Sequence, residues 1–253
     1  MENIFEILQA IHIGVVVATF LFNTRRIIKA IEIFKECLVL LNGKALETVK
    51  EATIPIYIYV YDKLLDGYTL IYDCQTAVEC GKKLHVKLRG YGQTELEGII
   101  LLKLAKICHQ RSEYKEAKQF YDMALGIMIE TGNNQGLGAC YANLGSMFQS
   151  VGQYDKAEEY LQKALTIIEE IGDKSGQATC YGNLGTVFQS VSQFHKAEEY
   201  LLKALTIRRD IGDKKGEASD YGNLGTVFQS VGQYTKAEEY LQKALVILSL
   251  IHI

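Results

Sequence analysis

The chain has few of the residues that interrupt helices, and none of the patterns that build enzymes. A single proline, Pro55, stands in 253 residues. Proline breaks helix interiors, so this scarcity fits an almost wholly helical protein. Positive charge is not in excess: the formal net charge is −3 and the pI near 6.0. Nothing here would hold a phosphate backbone, which argues against a nucleic-acid binder. The six cysteines, at 37, 74, 80, 108, 140 and 180, include no C-x-x-C pair. Scattered in this way they read as free, buried thiols of a reducing cytosol rather than a disulfide framework, so a cytoplasmic location is expected.

Catalytic and metal-binding patterns are missing as well. There is no H-E-x-x-H and no Gly-x-Ser-x-Gly. Asn42-Gly43-Lys44-Ala45 lacks the upstream glycine and the Ser/Thr of a phosphate loop. Cys108 and His109 are neighbours near a helix end, where adjacent side chains diverge by about 100°, so no dyad is implied. His195 fills a turn slot held by Asp155 and Thr235 in sister segments, and is expected to be exposed. Catalytic residues, metal ligands and cofactors are therefore all read as none. The one long apolar run, Ile7 to Phe22, spans 16 residues, is interrupted by Gln9 and His12, and has no basic residue before it. That is short for a membrane span of about 20 residues and wrongly flanked for a secretory signal. The expectation is a buried first helix ending in a turn at Arg25–Arg26, with no membrane span.

What the chain does have is a 40-residue block written three times, at 132–171, 172–211 and 212–251, the last two identical at 28 of 40 positions. A fixed period of this length means one supersecondary unit stacked on itself. In the middle copy, Gly172 can take the left-handed conformation that ends a helix, and Asp173 can N-cap the next. Ala178, Tyr181, Leu184, Gly185 and Phe188 then recur at spacings of three and four, one face of a helix. A turn follows at Ser190–Gln193, and Phe194, Ala197, Leu201, Ala204, Leu205 and Ile207 form the inner face of a second helix. Glu199 with Lys203, like Glu159 with Lys163 and Glu239 with Lys243, marks the wet side. Gly185 and Ala197 are small enough to let the two helices approach closely, as are Gly145 with Ala157 and Gly225 with Ala237.

These residues carry a resemblance. Leu144-Gly145, Leu184-Gly185 and Leu224-Gly225, followed by Tyr154, Phe194 or Tyr234, then Ala157, Ala197 or Ala237 and Ala164, Ala204 or Ala244, resemble the tetratricopeptide repeat. The longer period and the wording Gly-Asp…Gly-x-Ala…Tyr-x-Asn-Leu-Gly resemble the G-protein-signalling-modulator (Leu-Gly-Asn repeat) family. They also resemble large cnidarian tetratricopeptide proteins, some with a CHAT protease-like domain. The implied fold is an all-α, right-handed superhelical solenoid of about six stacked antiparallel helix pairs.

Counting back by forty places Leu104, Ala105, Tyr114, Ala117, Phe120 and Ala124 on repeat slots, and then Leu64, Leu65, Ala77 and Leu84. Ala30, Phe34 and Cys37 read as a further second helix, with 47 residues between Ala30 and Ala77 placing an insertion near Asn42–Ala52. The expected divisions are 1–43, a diverged hairpin; 44–96, a diverged repeat with the insertion; 97–131, a diverged repeat; then 132–171, 172–211 and 212–253, the last without a polar cap. Residues 54–62, IPIYIYVYD, alternate like a strand, but Thr53 as N-cap and Pro55 in a first turn favour helix.

The resemblance implies that the first helices line a concave groove for an extended peptide or partner helix. Its walls would be Ala142, Ser146, Gln149 and Ser150, then Gly182, Thr186, Gln189 and Ser190, then Gly222, Thr226, Gln229 and Ser230. Asn143, Asn183 and Asn223 stand beside them; their amides either bond a ligand's backbone or hold neighbouring helices in register. Lys103 and Lys106 are read as solvated surface, so the groove is neutral. At the end, Val246 to Ile253 replaces the polar positions of the previous repeat, suggesting a truncated product and self-association through this uncapped helix. The function read is a protein-binding scaffold or adaptor in signalling, not an enzyme. The alternative is the sensor arm of a larger signalling or immune-type protein whose effector domain is absent.

Overall fold

The structure is a computed structural model describing residues 2–251, with twelve α-helices and no strand among them. In chain order they are α1 (Glu2–Asn23), α2 (Ile27–Leu41), α3 (Lys50–Leu70), α4 (Cys74–Gly90), α5 (Thr94–Gln110), α6 (Tyr114–Thr131), α7 (Asn134–Ser150), α8 (Tyr154–Glu170), α9 (Lys174–Ser190), α10 (Phe194–Asp210), α11 (Lys214–Ser230) and α12 (Tyr234–Ile251). They form an all-α solenoid of stacked helix pairs.

Backbone punctuation sets the period. Left-handed residues occur at Tyr72, Gly92, Ser112, Gly132, Gly152, Gly172, Ser192, Gly212 and Gly232, one every 20 residues, each ending a helix. At Ser192 the turn closes with bonds from the amides of Ser192 to the Gln189 carbonyl (3.0 Å) and of Gln193 to the Phe188 carbonyl (2.8 Å), the paired pattern that satisfies a helix's last carbonyls. Where the next helix starts, Asp73, Asn133, Asp173 and Asp213 accept the amide three residues on, at 2.8–3.2 Å. Asp173 is the cap the sequence suggests. One earlier left-handed residue, Arg25, precedes Tyr72 by 47 positions. The surplus is taken up by a short 3-10 turn at Lys44–Val49 and by the 21-residue α3. Residues 54–62 are helical, within α3, although their alternation is strand-like. The start of α3 differs from expectation: Thr53 does not cap it but donates its hydroxyl back to the Lys50 carbonyl (2.7 Å), and Pro55 sits in the second turn.

Residues 1–127 and 128–253 form two compact units. In the first, the core comprises Ile11, Ala18, Ala30, Phe34, Leu64, Leu65, Ala77, Leu84, Leu104 and Ala105, all within 2% exposure. The expectation of a buried first helix fails. Only Ile11 and Ala18 of α1 are fully covered, while Phe5, Ile13, Val16, Val17 and Phe20 are 42–70% exposed. Residues Asn3–Asn23 form a helix long and apolar enough to cross a membrane, with mean hydropathy 2.0 and 11% of it buried. The reason is geometric: α2 covers one stripe of α1, α3 touches its end at Thr19 and Phe22, and nothing described covers the remaining apolar face.

In the second unit the pairs α7–α8, α9–α10 and α11–α12 repeat one another closely. A Cβ on Gly145, Gly185 or Gly225 would lie 2.6–2.7 Å from Cγ of Leu161, Leu201 or Leu241. These glycines keep the helix crossing close, against buried leucines at Leu161 and Leu201 and a part-exposed one at Leu241. Phe148, Phe188 and Phe228 each stack on the tyrosine of the second helix (Tyr160, Tyr200, Tyr240) with ring centres 5.2 Å apart. The ion pairs Lys163–Glu159, Lys203–Glu199 and Lys243–Glu239 lie on the outside at 2.6–2.7 Å.

Candidate partner-binding face

The first helices α7, α9 and α11 lie side by side and share one polar face. The helix period puts Asn143, Ser146 and Gln149 on α7, Asn183, Thr186 and Gln189 on α9, and Asn223, Thr226 and Gln229 on α11 at equivalent positions, because each set lies 40 residues from the next. The side chains of Asn143, Ser146, Gln149, Asn183, Thr186, Gln189 and Thr226 are engaged in hydrogen bonds. The Asn183 amide donates to Ser146 Oγ (3.0 Å), the Gln149 amide to Thr186 Oγ1 (3.0 Å), and the Gln189 amide to Thr226 Oγ1 (2.9 Å). Each stitch spans 37 residues and joins neighbouring first helices. Asn143 instead donates to the Ala139 carbonyl on its own helix (2.6 Å), while Thr186 and Thr226 donate to the carbonyls of Asn183 and Asn223 (2.8 Å). A ligand on this face must compete with stitches worth about 0.5–1.5 kcal/mol each. The face is neutral and lined with small groups, so it can offer hydrogen bonds to a polypeptide but no clamp for a charged terminus.

The structural signature residues lie where close packing needs them. Leu144, Leu184 and Leu224 are 0% exposed, as are Ala157, Ala164, Ala197 and Ala204; Ala237 and Ala244 stay below 8%. Tyr154 and Phe194 are half-buried, but Tyr234 is 70% exposed, since among the described residues no helix packs beyond α12. Leu241 and Leu245 of α12, 38% and 66% exposed, stand in the slots of Leu201 and Leu205, which are 0% and 5% exposed.

Ionic groups were the part sequence reasoning missed. Lys103 is not solvated surface: its ammonium bonds Asp62 (2.6 Å) and Asp66 (2.9 Å) on α3 and is part-buried. Burial lowers its pKa, and the two carboxylates outweigh that and raise it. The Lys103–Asp66 pair again spans 37 residues, so it is the charged form of the Asn183–Ser146 stitch; slot-by-slot comparison of repeats would have found it. Lys106 is exposed as expected. The second missed group is Arg208 with Asp220, Nε to Oδ2 at 3.3 Å, between α10 and α11.

The six cysteines are free, and all but Cys74 are buried. Burial pushes the thiols of Cys80, Cys140 and Cys180 up to about 12. Cys108 lies within 4.8 Å of Glu113 and Glu116, but Arg111 and Lys82 pair those carboxylates at 2.8 and 2.6 Å, and burial followed by Glu116 raises the thiol to about 11. His109 packs on Tyr114 (5.9 Å), and His195 is exposed.

Three overlapping segments, 96–170, 138–210 and 177–249, match the family described as tetratricopeptide repeat, which covers more than half of the chain. The chain belongs to the tetratricopeptide-repeat family. No curated protein matches it. Among solved structures, the tetratricopeptide array resembles BtubC (BKLC) from P. vanneervenii, with a TM-score of 0.70, 22% identity, and coverage of 82% of this chain and 88% of that one. It also resembles RapI in its apo form, with a TM-score of 0.73, 15% identity and coverage of 96% and 98%. A third likeness is to the Rap conjugation gene regulator of plasmid pLS20 in complex with the Phr* peptide, with a TM-score of 0.64, 15% identity and coverage of 98% and 76%. At these identities the likeness is one of fold. Membership of the tetratricopeptide-repeat family supports a protein-interaction scaffold.

Proposed function

We propose that the chain is a non-enzymatic cytoplasmic adaptor that takes a peptide or helical segment of a partner on the shared face of α7, α9 and α11. The observation that carries this reading is register. The same trio of Asn, Ser or Thr, and Gln is set on three successive helices, so a polypeptide lying across them meets equivalent donors and acceptors at each step. The pLS20 Rap regulator, a protein of similar fold, is described with a bound peptide. The wording Tyr-x-Asn-Leu-Gly, which resembles that of the G-protein-signalling-modulator family, makes G-protein or cytoskeletal signalling the setting we favour. In this reading nucleic acid is not a partner, and the apolar face of α12 supports self-association that light scattering would detect.

The test is capture of a partner from native lysate by the wild type and by the triple variant Asn143→Ala, Asn183→Ala, Asn223→Ala. The reading expects capture to be lost while helical circular dichroism and the melting temperature stay close to wild type. Loss of the helical signal instead assigns these asparagines a structural role, of which the Asn183 bond to Ser146 is the visible instance. Equal capture by both proteins rejects this face as the binding site.

A further inference from the structure

Four junctions between consecutive helix pairs can be compared slot by slot. Where the second helix of one pair meets the first helix of the next, the facing positions are Leu88 and Ile100, then Met128 and Cys140, then Ile168 and Cys180, all 0–4% exposed. At the fourth junction both positions have changed together, to Arg208 and Asp220. A second pair changes at the same junction, Glu169 and Gln177 becoming Arg209 and Glu217, but that pair meets at an exposed guanidinium, whereas Arg208 and Asp220 are covered. Asp220 is 1% exposed, and the Arg208 side chain 13%. Their Nε–Oδ2 approach of 3.3 Å lacks the alignment of a hydrogen bond, and neither atom has another partner. A buried carboxylate with one poorly aligned counter-ion is less stable charged than neutral.

We propose that the α10/α11 junction is a proton-sensitive joint, tightened when the Asp220 carboxyl is protonated and loosened when it is ionised. The other charges around it do not cancel this. On α10, Arg209 turns away to Glu217 (3.2 Å). On α11, Lys214 also bonds Glu217 (2.8 Å), and Asp213 caps the helix through the Gly216 amide (2.9 Å). On α9 the pair meets Gly182, which brings no charge. Lys236 and Lys243 of α12 lie over the Phe228, Tyr221 and Tyr240 rings, and neither forms an ion pair with Asp220. Burial, reinforced by Asp213 and only partly offset by Arg208, lifts the Asp220 carboxyl to about 7. Its folded value is therefore above its unfolded one. The stability it contributes is present in full at acid pH and is lost as the pH rises through about 7. The direction is opposite to that of an ordinary surface ion pair, which acid weakens.

Hydrogen exchange of α11 and α12 amides, corrected for intrinsic rates, tests this on the full chain. Between pH 6 and pH 8 the wild type should lose about tenfold in protection at these helices relative to α7 and α8. Asp220→Asn, which keeps the shape without the charge, should show no such change and remain protected at pH 8. The double variant Arg208→Ile, Asp220→Cys, which restores the pair of the sister junction, should likewise be flat. Protection in the wild type that is constant or rises with pH overturns the proposal, as does a pH dependence in Asp220→Asn equal to that of the wild type.

Discussion

The glycines at the helix crossings allow one substitution to be tried in two settings that differ in a single respect. An alanine Cβ at Gly185 would lie 2.6 Å from Leu201 Cγ and 3.3 Å from the Ala197 carbonyl oxygen; at Gly225 the same atom would lie 2.7 Å from Leu241 Cγ and 3.3 Å from the Ala237 carbonyl oxygen. The backbone contact is thus the same and the leucine clash nearly so. The leucines differ in freedom: Leu201 is 0% exposed and locked by its neighbours, whereas Leu241 is 38% exposed and can rotate outward. Overpacking a closed site costs about 1–3 kcal/mol, and replacing glycine by alanine inside a helix returns about 0.8–1.0 kcal/mol. Gly185→Ala should therefore be destabilising by up to about 2 kcal/mol, while Gly225→Ala should be neutral or stabilising by up to about 1 kcal/mol. Because a repeat array need not unfold in one step, the measurement is amide exchange resolved by helix, read at α9–α10 for the first variant and α11–α12 for the second. Equal destabilisation by the two would refute the reasoning, since it would place the clash at the shared backbone contact rather than at the leucine.

Three further outcomes are expected. Ser192 holds φ 59° where its counterparts Gly152 and Gly232 hold 74° and 75°; Ser192→Gly should raise stability by about 1 kcal/mol, measured by urea unfolding, and a loss of stability would show the serine to be worth more than its strain. With Cys74 alone incompletely buried and Cys80, Cys140 and Cys180 held near 12, a thiol reagent at pH 8 should modify one cysteine quickly and the rest only after denaturant is added. Lys103→Met removes the ammonium that bonds both Asp62 and Asp66, leaving Asp66 only its longer contact to Lys63 (3.9 Å), and should weaken protection of α3 and α5 by about 1 kcal/mol, an effect that Lys103→Arg largely avoids.

The fold was legible because its signals are local. Gly172 with Asp173 announces a helix end and the next helix start, and Gly185 opposite Ala197 announces a close crossing; both follow from neighbours within one repeat. The helical nature of residues 54–62 was reached against their strand-like alternation, from the proline and the flanking helices. What stayed hidden depends on a second element. Whether the apolar stripe of α1 is covered is decided by what packs on it, not by the pattern of Phe5, Ile13 and Phe20. The stitches at a 37-residue offset join side chains that no single-helix pattern relates. The change of Ile168 and Cys180 to Arg208 and Asp220 was visible in the aligned repeats, but only a structure shows that the two positions face each other.

The spacing of left-handed residues also bears on how such a chain can change its length. With a turn every 20 residues, duplication of a 40-residue unit adds one hairpin and leaves every existing junction as it was. A few residues inserted within a helix would instead rotate all the slots that follow, by about 100° for each residue added. The seven extra residues between Arg25 and Tyr72 are absorbed around the start of α3, in the six-residue 3-10 turn at Lys44–Val49 and in a helix of 21 residues where the regular ones have 17, so the slots that follow Tyr72 keep their spacing. Growth by copying and variation at connections are the two routes that this architecture leaves open.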